Sequence, residues 1–284
     1  MIASPHGTVN ERNASRDMEA VNVVIGYHQG TKHHFNRYAP SLGYLDWANQ
    51  PDPFRRFHGA PLFRLPFPEE DASPPYETIY APGAREPRPV TVETVAEFFE
   101  NALALSAGKE YGGERWWLRC NPSSGNLHPT EGYLVAGPIP GLHDRPAVYH
   151  YAPLEHGLER RTEFDPAVWA ELVGAFPPGT FLAGLSSVHW REAWKYGERA
   201  YRYCQHDAGH ALAALALSAA VQGWRCVHLE ALSDDDVAAL LGLDRSEDFN
   251  GAEREHPDLV VAVGPAVAES EWPRDLPRRA VEAV

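Results

Sequence analysis

One segment constrains this fold more than any other: the stretch from Asp207 to Gly223, whose residues are almost all small and apolar. Within it, Ala211–Val221 is the longest apolar run of the chain and is interrupted only by Ser218. That run is about half of the roughly 20 residues that a helix needs to span a bilayer. A helix that is apolar all round lies at the centre of a fold. The sequence therefore predicts a buried central helix and no membrane span.

Shorter patterns on both sides of this segment predict strands and helices that do not alternate regularly. The predicted strands are Gly132–Ala136, Pro146–Tyr151, Phe181–Trp190, Trp224–Glu230 and Asp258–Val263. The predicted helices run from Thr91 to about Ser106, from Ala167 to Ala175, and from Ser233 to Leu241. Thr91 and Ser233 supply N-cap hydroxyls, and Gly108 supplies a stop for the first helix. Elements in this order predict an α+β fold.

The N-terminal part of the chain has a different composition. Residues 1–20 are polar and charged and lack the apolar core of a signal peptide, which predicts a frayed polar tail. Residues 21–90 are rich in proline and aromatic residues, and prolines such as Pro51 and Pro53 exclude long helices there. We interpret 21–90 as an ordered segment that wraps a core formed by residues 91–284.

Charge and cysteine content exclude some partners and favour one compartment. The chain has 25 Lys and Arg against 39 Asp and Glu, a formal net charge of −14. Phosphate backbones and anionic lipids repel such a protein, so we expect neither nucleic acid nor a membrane surface as partner. The three cysteines are widely spaced and lack a CxxC pattern. They predict neither a disulfide framework nor a zinc cluster, and we expect a reduced, cytoplasmic compartment.

The segment Arg119–Glu131, which contains Pro122-Ser-Ser-Gly-Asn126, is a first candidate site. It combines two hydroxyls, a glycine and an amide, and such loops offer donors, acceptors and backbone N–H groups to a phosphate or a polar heterocycle. The alternative interpretation is an ordinary surface turn.

Lysine is scarce, which makes a second candidate conspicuous. Lys32, Lys109 and Lys195 are the only lysines, and every other base is arginine. Lys195 lies in the second candidate segment, Trp194–Tyr203, which also holds Tyr196, Arg199, Tyr201 and Arg202. A lysine beside a tyrosine can transfer protons if burial lowers the pKa of the lysine. The alternative is a surface helix with aromatic packing.

Two further patterns carry weaker signals. His206-Asp-Ala-Gly-His210 resembles a zinc-binding HExxH motif superficially, but its acid is Asp and no third ligand follows at short spacing. The alternative there is that Asp207 caps the central helix, and we expect no metal. Leu276-Pro-Arg-Arg279 could clamp a phosphate or be a solvated tail. Sequence motifs of hydrolases, dinucleotide-binding folds and P-loops (GxSxG, GxGxxG, GxxxxGK[ST]) do not occur.

The order of these motifs resembles the FMN-dependent nitroreductase superfamily, and within it the azoline dehydrogenase branch, which oxidises thiazoline and oxazoline rings. The resemblance covers about Thr91–Arg279, with a weaker match at Gln29–Phe35. It implies a nitroreductase-like fold in which a central mixed or antiparallel sheet packs around the hydrophobic helix. It also implies a homodimer with FMN at the two-fold interface.

The resemblance further implies roles for individual residues. Lys195 and Tyr196 correspond to a Lys-Tyr pair that supports proton abstraction. The positions that correspond to flavin-contacting residues are Thr31, Lys32 and His33 near phosphate and ribityl chain, Ser123, Ser124 and Asn126 from the neighbouring subunit, His228, Glu230 and Ala231 along the ring, and Arg278 and Arg279 on the phosphate. The sequence departs from the family in having no arginine at 31–33 and Ala231 where glycine is frequent.

Three hypotheses about function follow. The first is an FMN-dependent oxidoreductase that transfers hydride between flavin N5 and a small organic or peptide-borne heterocycle. The second is a non-catalytic relative that acts as a scaffold or binds another ligand and has weak or lost FMN binding. The third is a metal-dependent hydrolase that uses His206 and His210. The sequence specifies neither the substrate nor a choice between NADH and NADPH.

Overall fold

The computed structural model describes residues 9–68, 73–81, 85–265 and 272–284. The helices of this part are α1 Val9–Thr31, α2 Val92–Leu103, α3 Pro166–Val173, α4 His189–Tyr196, α5 Ala200–Val221, α6 Asp234–Leu241 and α7 Arg278–Val281. The strands are β1 Leu62–Arg64, β2 Leu105–Tyr111, β3 Glu114–Arg119, β4 Thr130–Ala136, β5 Ala147–Ala152, β6 Gly157–Glu163, β7 Phe181–Ser187, β8 Trp224–His228 and β9 His256–Pro265.

Seven strands form one sheet in the order β1-β6-β5-β4-β7-β9-β8, and every neighbouring pair is antiparallel. Strands β2 and β3 form a separate hairpin. The predicted α+β class with an antiparallel sheet is confirmed, and each predicted strand is present. The sequence did not indicate β1, β6 or the hairpin, because β1 has three residues, β6 consists largely of charged and polar residues, and β2 of the hairpin is almost entirely exposed.

Alternate residues of the central strands face opposite layers of helices. Leu134 on β4 packs into a cluster with the buried faces of α2 and α5. Its neighbours Tyr133 and Val135 pack into a second cluster, with Leu172 of α3 and Leu240 of α6. The sheet is therefore covered on both faces, and α5 lies in one of the two helical layers.

The central helix is longer than predicted and is buried on one side only. It begins at Ala200 rather than at Asp207, so the interpretation of Asp207 as a helix cap is wrong. Residues such as Ala211 and Leu215 are buried, whereas Ala216 is exposed and Leu217 is 42% exposed. In a single chain, the face that carries these two residues is an uncovered apolar surface.

Local capping signals were good guides to where helices begin. Thr91 forms a capping box with Thr94 at the start of α2, and Ser233 forms one with Asp236 at the start of α6. The predicted stop at Gly108 is wrong, because α2 ends at Leu103 and Gly108 lies in β2. There the glycine makes room for an indole: a Cβ at this position would lie 2.8 Å from the Trp117 ring.

The predicted polar tail over residues 1–20 is wrong from Val9 onward, because α1 occupies Val9–Thr31. Residues 1–8 lie outside the described part of the chain. The tail prediction rested on polarity alone, and polar residues with good helix propensity also form exposed helices. Of the helices described, none is long and apolar enough to cross a membrane. The division at residue 90 stays a prediction.

Candidate functional site

The structure brings the two main sequence candidates into contact. Gly125 has a left-handed backbone with φ +65°, and its carbonyl oxygen accepts a hydrogen bond from Lys195 Nζ at 3.4 Å. A Cβ at position 125 would lie 2.7 Å from Tyr196 Oη and 2.9 Å from Lys195 Nζ. The Lys-Tyr pair in the last turn of α4 therefore packs directly against the 122–126 loop, and a side chain at position 125 would displace one or both of its members.

A buried carboxylate anchors this loop from α5. Asp207 accepts hydrogen bonds from the Ser124 backbone N–H at 3.0 Å and from Ser124 Oγ at 2.9 Å. Burial raises the pKa of Asp207, and hydrogen bonds from Ser123 and Ser124 oppose that rise. In the sequence, Asp207 was noticed as the acid of the His206–His210 pattern. Its partner Ser124 lies 83 residues earlier in the chain, so sequence spacing did not reveal their contact.

The other polar side chains of the loop are held within the chain. Ser123 Oγ accepts the backbone N–H of His128 at 2.8 Å. Asn126 Nδ2 donates to the Trp117 carbonyl at 3.0 Å, and its Oδ1 lies 3.0 Å from His128 Nε2. Burial, with a contribution from nearby Arg119, lowers the pKa of His128 to about 3. These bonds connect the loop to β3 and to His128. The predicted role of Ser123, Ser124 and Asn126 in cofactor binding stays a prediction.

Glu192 is a buried acid beside the candidate site that sequence reasoning missed. Its side chain is fully buried, and neither carboxyl oxygen has a hydrogen-bond partner among the described residues. Burial and the neighbouring Asp207 raise the pKa of Glu192 to about 9, and Lys195 acts in the opposite direction. The available signal was an acid three residues before Lys195, a spacing that puts both side chains on one face of a helix.

The preceding residue belongs to a different cluster. Arg191 is fully buried, donates to the His128 carbonyl at 2.6 Å and pairs with Glu131. Glu131 also lies 2.9 Å from His150 Nε2, and Glu159 lies 2.8 Å from His150 Nδ1. Burial lowers the pKa of His150, but hydrogen bonds with the two carboxylates outweigh it and raise the pKa above the usual value. We name Glu131, His150, Glu159 and Arg191 the ion network.

The N-terminal motif lies against two arginines at the start of α5. Arg202 donates to the buried Thr31 Oγ1 at 3.0 Å, and Arg199 Nη2 lies 3.0 Å from His33 Nε2. The Arg199 guanidinium also lies 5.7 Å from the centre of the Tyr196 ring. Lys32 is half-buried. The 31–33 motif has no arginine of its own, but Arg199 and Arg202 lie beside it in the folded chain. Arg199 contacts both His33 and Tyr196 and so connects this motif to the Lys195 site.

The remaining predicted residues form a separate group. At the end of β8, the His228 carbonyl accepts from Arg274 at 3.4 Å, and the Ala231 N–H donates to the Arg274 carbonyl at 3.2 Å. Arg278 is exposed and pairs with Glu282 at 3.0 Å. No hydrogen bond or ion pair between described residues joins the predicted positions His228, Glu230, Ala231, Arg278 and Arg279 to Lys195 or to the loop.

The metal hypothesis finds no support in the described residues. His206 and His210 are exposed on α5, and Asp207 between them points to the loop. Within residues 9–68, 73–81, 85–265 and 272–284, no group of three or more His, Cys, Asp or Glu side chains is arranged to hold a metal ion.

A cavity of about 860 Å³ lies on the opposite face of α4 from Lys195. Its lining includes Trp190 and Trp194 of α4 and residues 48–52, and it contains none of the predicted site residues. Volume alone would select this cavity as the site, but the convergence of buried ionisable groups selects the other face of the helix.

Comparisons with known proteins agree with this architecture. The model of the nitroreductase family matches residues 86–264. A candidate nitroreductase of Methanocaldococcus jannaschii is 27% identical over 149 residues, which cover 50% of this chain and 68% of that protein.

Solved structures extend the comparison to the fold. A candidate nitroreductase from Anabaena variabilis aligns with a TM-score of 0.64 and 25% identity over 85% of this chain, and this chain spans 46% of its length. A chain of the E. coli microcin synthetase McbBCD complex, solved with truncated pro-MccB17 bound, has the same fold with a TM-score of 0.50 and 19% identity. That match covers 93% of this chain and 100% of the microcin synthetase chain. Because the family model matches more than half of its residues, the chain belongs to the nitroreductase family.

Proposed function

We propose that this protein is an FMN-dependent oxidoreductase that dehydrogenates a small or peptide-borne heterocycle of the azoline type. Membership of the nitroreductase family supports an oxidoreductase. The observation that carries the finer proposal is the contact of Lys195 and Tyr196 with Gly125, because it unites the Lys-Tyr pair with the loop that resembles a flavin-contacting segment.

The residues near the N-terminal motif suit the phosphate of FMN. Arg199 and Arg202 each have a buried Nε without a hydrogen-bond partner among the described residues. Such guanidinium N–H groups, together with the Thr31 hydroxyl, match the acceptor oxygens of a phosphate dianion. We propose that this cluster, with Lys32 and His33, binds the phosphate end of the cofactor, and that Arg278 and Arg279 add charge from a second subunit.

The chain's own chemistry at the reacting end is proton transfer. FMN, when bound, supplies a hydride acceptor at N5. Lys195 Nζ and Tyr196 Oη lie at the same point of the loop, so either can receive the proton that a ring C–H or N–H group loses as a double bond forms. Burial raises the pKa of Tyr196, with a further contribution from Glu192, so the phenol stays protonated near neutral pH. We therefore assign the base to Lys195 and a hydrogen-bond donor role to Tyr196.

We propose a homodimer as the working unit. The face of α5 with exposed Ala216 and Leu217 is apolar, and covering such a face is a common role of a second subunit. The two groups of predicted site residues, which no hydrogen bond or ion pair joins among the described residues, would then meet across the two-fold axis. The Anabaena relative, about twice as long, is consistent with a second unit of similar size beside the first.

The proposal is tested by spectroscopy and by a matched pair of lysine variants. We expect the purified protein to be yellow or to take up added FMN with a flavin absorption band. Lys195→Ala should retain FMN and lose substrate oxidation by roughly 10²–10⁴-fold, the usual contribution of a general base. Lys109→Ala, which removes an exposed lysine from β2, should keep full activity.

Two outcomes would contradict the proposal in different ways. A colourless protein that does not bind FMN would favour the scaffold hypothesis. Full activity in Lys195→Ala would remove the dehydrogenase assignment while leaving the flavin assignment intact.

A further inference from the structure

We propose that the cavity of about 860 Å³ on the face of α4 opposite Lys195, which we name the α4 cavity, binds a positively charged side chain, arginine or lysine, of a peptide. The inference deepens the proposed function and rests on it for the identity of that peptide, which would be the one that carries the reacting heterocycle. The basic residue would then help to select the substrate.

The first observation is how the α4 cavity is built. The helix contributes Trp190 and Trp194, and most other lining residues come from the segment 42–52. Trp194 Nε1 donates to the Asp46 carbonyl at 2.7 Å, and the Trp47 ring lies edge-on to the Trp194 ring with 5.4 Å between their centres. These contacts attach the segment to the helix at the edge of the cavity.

The second observation is the number of large side chains that solvent reaches at this place. Leu42, Tyr44 and Trp190 line the α4 cavity and are 50%, 81% and 47% exposed, and Trp47 is 67% exposed. Single exposed apolar residues are ordinary, but a group of them with polar neighbours marks an interaction site. Trp and Tyr are also the residues that contribute most often to binding energy at such sites.

The third observation is the charge of the lining. Asp46, Asp52 and Glu253 line the α4 cavity, and none of the described residues that line it is Lys, Arg or His. Asp46 accepts a hydrogen bond from Asn49 Nδ2 at 2.7 Å, and Asp52 accepts one from the Phe54 N–H at 2.9 Å. Both donors are neutral, so they leave the charge of the two carboxylates in place.

Glu253 has a base nearby, but that base is engaged elsewhere. The Glu253 carboxylate lies 3.9 Å from Arg55 Nη2, whereas Arg55 Nε pairs with the buried Glu255 at 2.9 Å. The α4 cavity therefore combines aromatic faces with three carboxylates that lack a close ion pair among the described residues. A guanidinium or ammonium group fits this combination, because aromatic rings attract it through cation–π interaction and carboxylates through charge.

The position and size of the α4 cavity favour a peptide over a small free cation. A cavity of about 860 Å³ is near the upper end of the usual range for small ligands, so it has room for more than one side chain. An α-helix with its side chains is about 10–12 Å across, and an extended peptide advances about 3.3 Å per residue. A peptide whose ring lies at Lys195 would thus reach the cavity with a residue at least about three to four positions away.

Calorimetric titration of the whole protein with short peptides tests the proposal. The probes are acetyl-Gly-Gly-Arg-Gly-Gly-amide, its lysine version, and a citrulline version that keeps the shape of arginine without its charge. We expect the two basic peptides to bind about tenfold more tightly than the citrulline peptide, and added salt to weaken them. The double variant Asp52→Asn/Glu253→Gln keeps the shape of both side chains and should bind the arginine peptide about fivefold more weakly. Trp190→Ala should weaken it about threefold.

Two control variants separate the α4 cavity from general effects. Asp244→Asn/Glu247→Gln removes two exposed acids that do not line it and so changes the net charge equally, and Trp116→Ala truncates an exposed tryptophan of β3. Both should bind the arginine peptide as the wild type does.

Several results would overturn the inference: no binding of the arginine peptide, equal affinity for the arginine and citrulline peptides, or unchanged binding in both cavity variants. Argininamide that binds as tightly as the peptide would also overturn it, since a small free cation would then be sufficient. The titration needs neither FMN nor turnover. The expected binding pattern in a protein that does not take up FMN would therefore support the α4 cavity as a peptide site and contradict the proposed function instead.

Discussion

Arg191 and Glu192 are adjacent in sequence and both fully buried, yet they lie in opposite environments. Arg191 enters the ion network, where Glu131 and the His128 carbonyl receive it. Glu192 lies beside another acid and has no hydrogen-bond partner among the described residues. A buried charge with a partner connects strands and helices of the fold. A buried acid without a partner is costly to ionise, and groups with such shifted pKa values are frequent at functional sites.

The difference follows from helix geometry. Consecutive residues on an α-helix point about 100° apart. On α4 this directs Arg191 toward β4, which carries Glu131, and Glu192 toward Asp207 on α5. One short helix therefore contacts a region that stabilises the fold on one side and a region suited to proton transfer on the other.

The largest effect is expected from breaking the ion network. Glu131→Gln leaves the Arg191 guanidinium buried without its carboxylate, so we expect a loss of about 3–5 kcal/mol in the free energy of unfolding. Urea denaturation at neutral pH measures it. As a control, Glu247→Gln removes an acid that is 67% exposed and whose partner Arg245 is 51% exposed, and it should cost less than about 1 kcal/mol. Equal losses of unfolding free energy in the two variants would show that the ion network contributes no more to stability than an exposed ion pair.

The second largest effect is expected in the pH dependence of stability, which should differ between Glu192 and the ion network. The pKa of Glu192 is raised from 4.5 to about 9, so the folded state binds the extra proton between these values. The free energy of unfolding should therefore fall as pH rises from about 5 to 9, by up to about 1.4 kcal/mol per pH unit. Glu192→Gln should be less sensitive to pH in this window, as measured by denaturation at several pH values. An unchanged slope would show that Glu192 does not titrate.

His150 provides a matched test in the ion network. Its pKa is also raised, so its contribution is fully present below about pH 6.5 and is lost as pH rises through the folded value. His150→Gln should flatten only the upper part of the curve, above about pH 6.5, whereas Glu192→Gln should also flatten the range from about 5 to 6.5. If both variants changed the same range, the two regions would not titrate independently.

The smallest change in stability is expected at Gly125, where a substitution should also displace Lys195 and Tyr196. Gly125→Ala and Gly112→Ala both put a Cβ on a left-handed backbone, with φ +65° and +63°. Each should cost about 1–2 kcal/mol. Only the Cβ at 125 approaches Tyr196 and Lys195, since nothing lies within 4 Å at 112. We expect reduced substrate oxidation in Gly125→Ala alone, and the same behaviour in both variants would contradict the contact.

Prediction from sequence worked best where the cause is local. The Thr91 and Ser233 capping boxes involve residues three positions apart, and the five predicted strands are short apolar runs. Prediction was poorer for the hairpin β2–β3, most of whose residues are exposed, and for α1, which is exposed over most of Met18–Thr31. Of the candidate site, the sequence indicated Lys195, Tyr196 and the 122–126 loop separately. Their contact joins residues 70 positions apart in the chain.

The fold class, the helix starts and the Lys-Tyr pair could all be recognised in the sequence, because apolar patterns, capping and motif spacing depend on residues that are close together in the chain. Tertiary structure alone decided that Asp207 anchors the loop instead of capping a helix, and that Arg191 is paired while Glu192 is not. The physical reason is that the pKa of a buried group depends on the charges and donors that packing places around it. Here those groups come from strands and helices far apart in the chain.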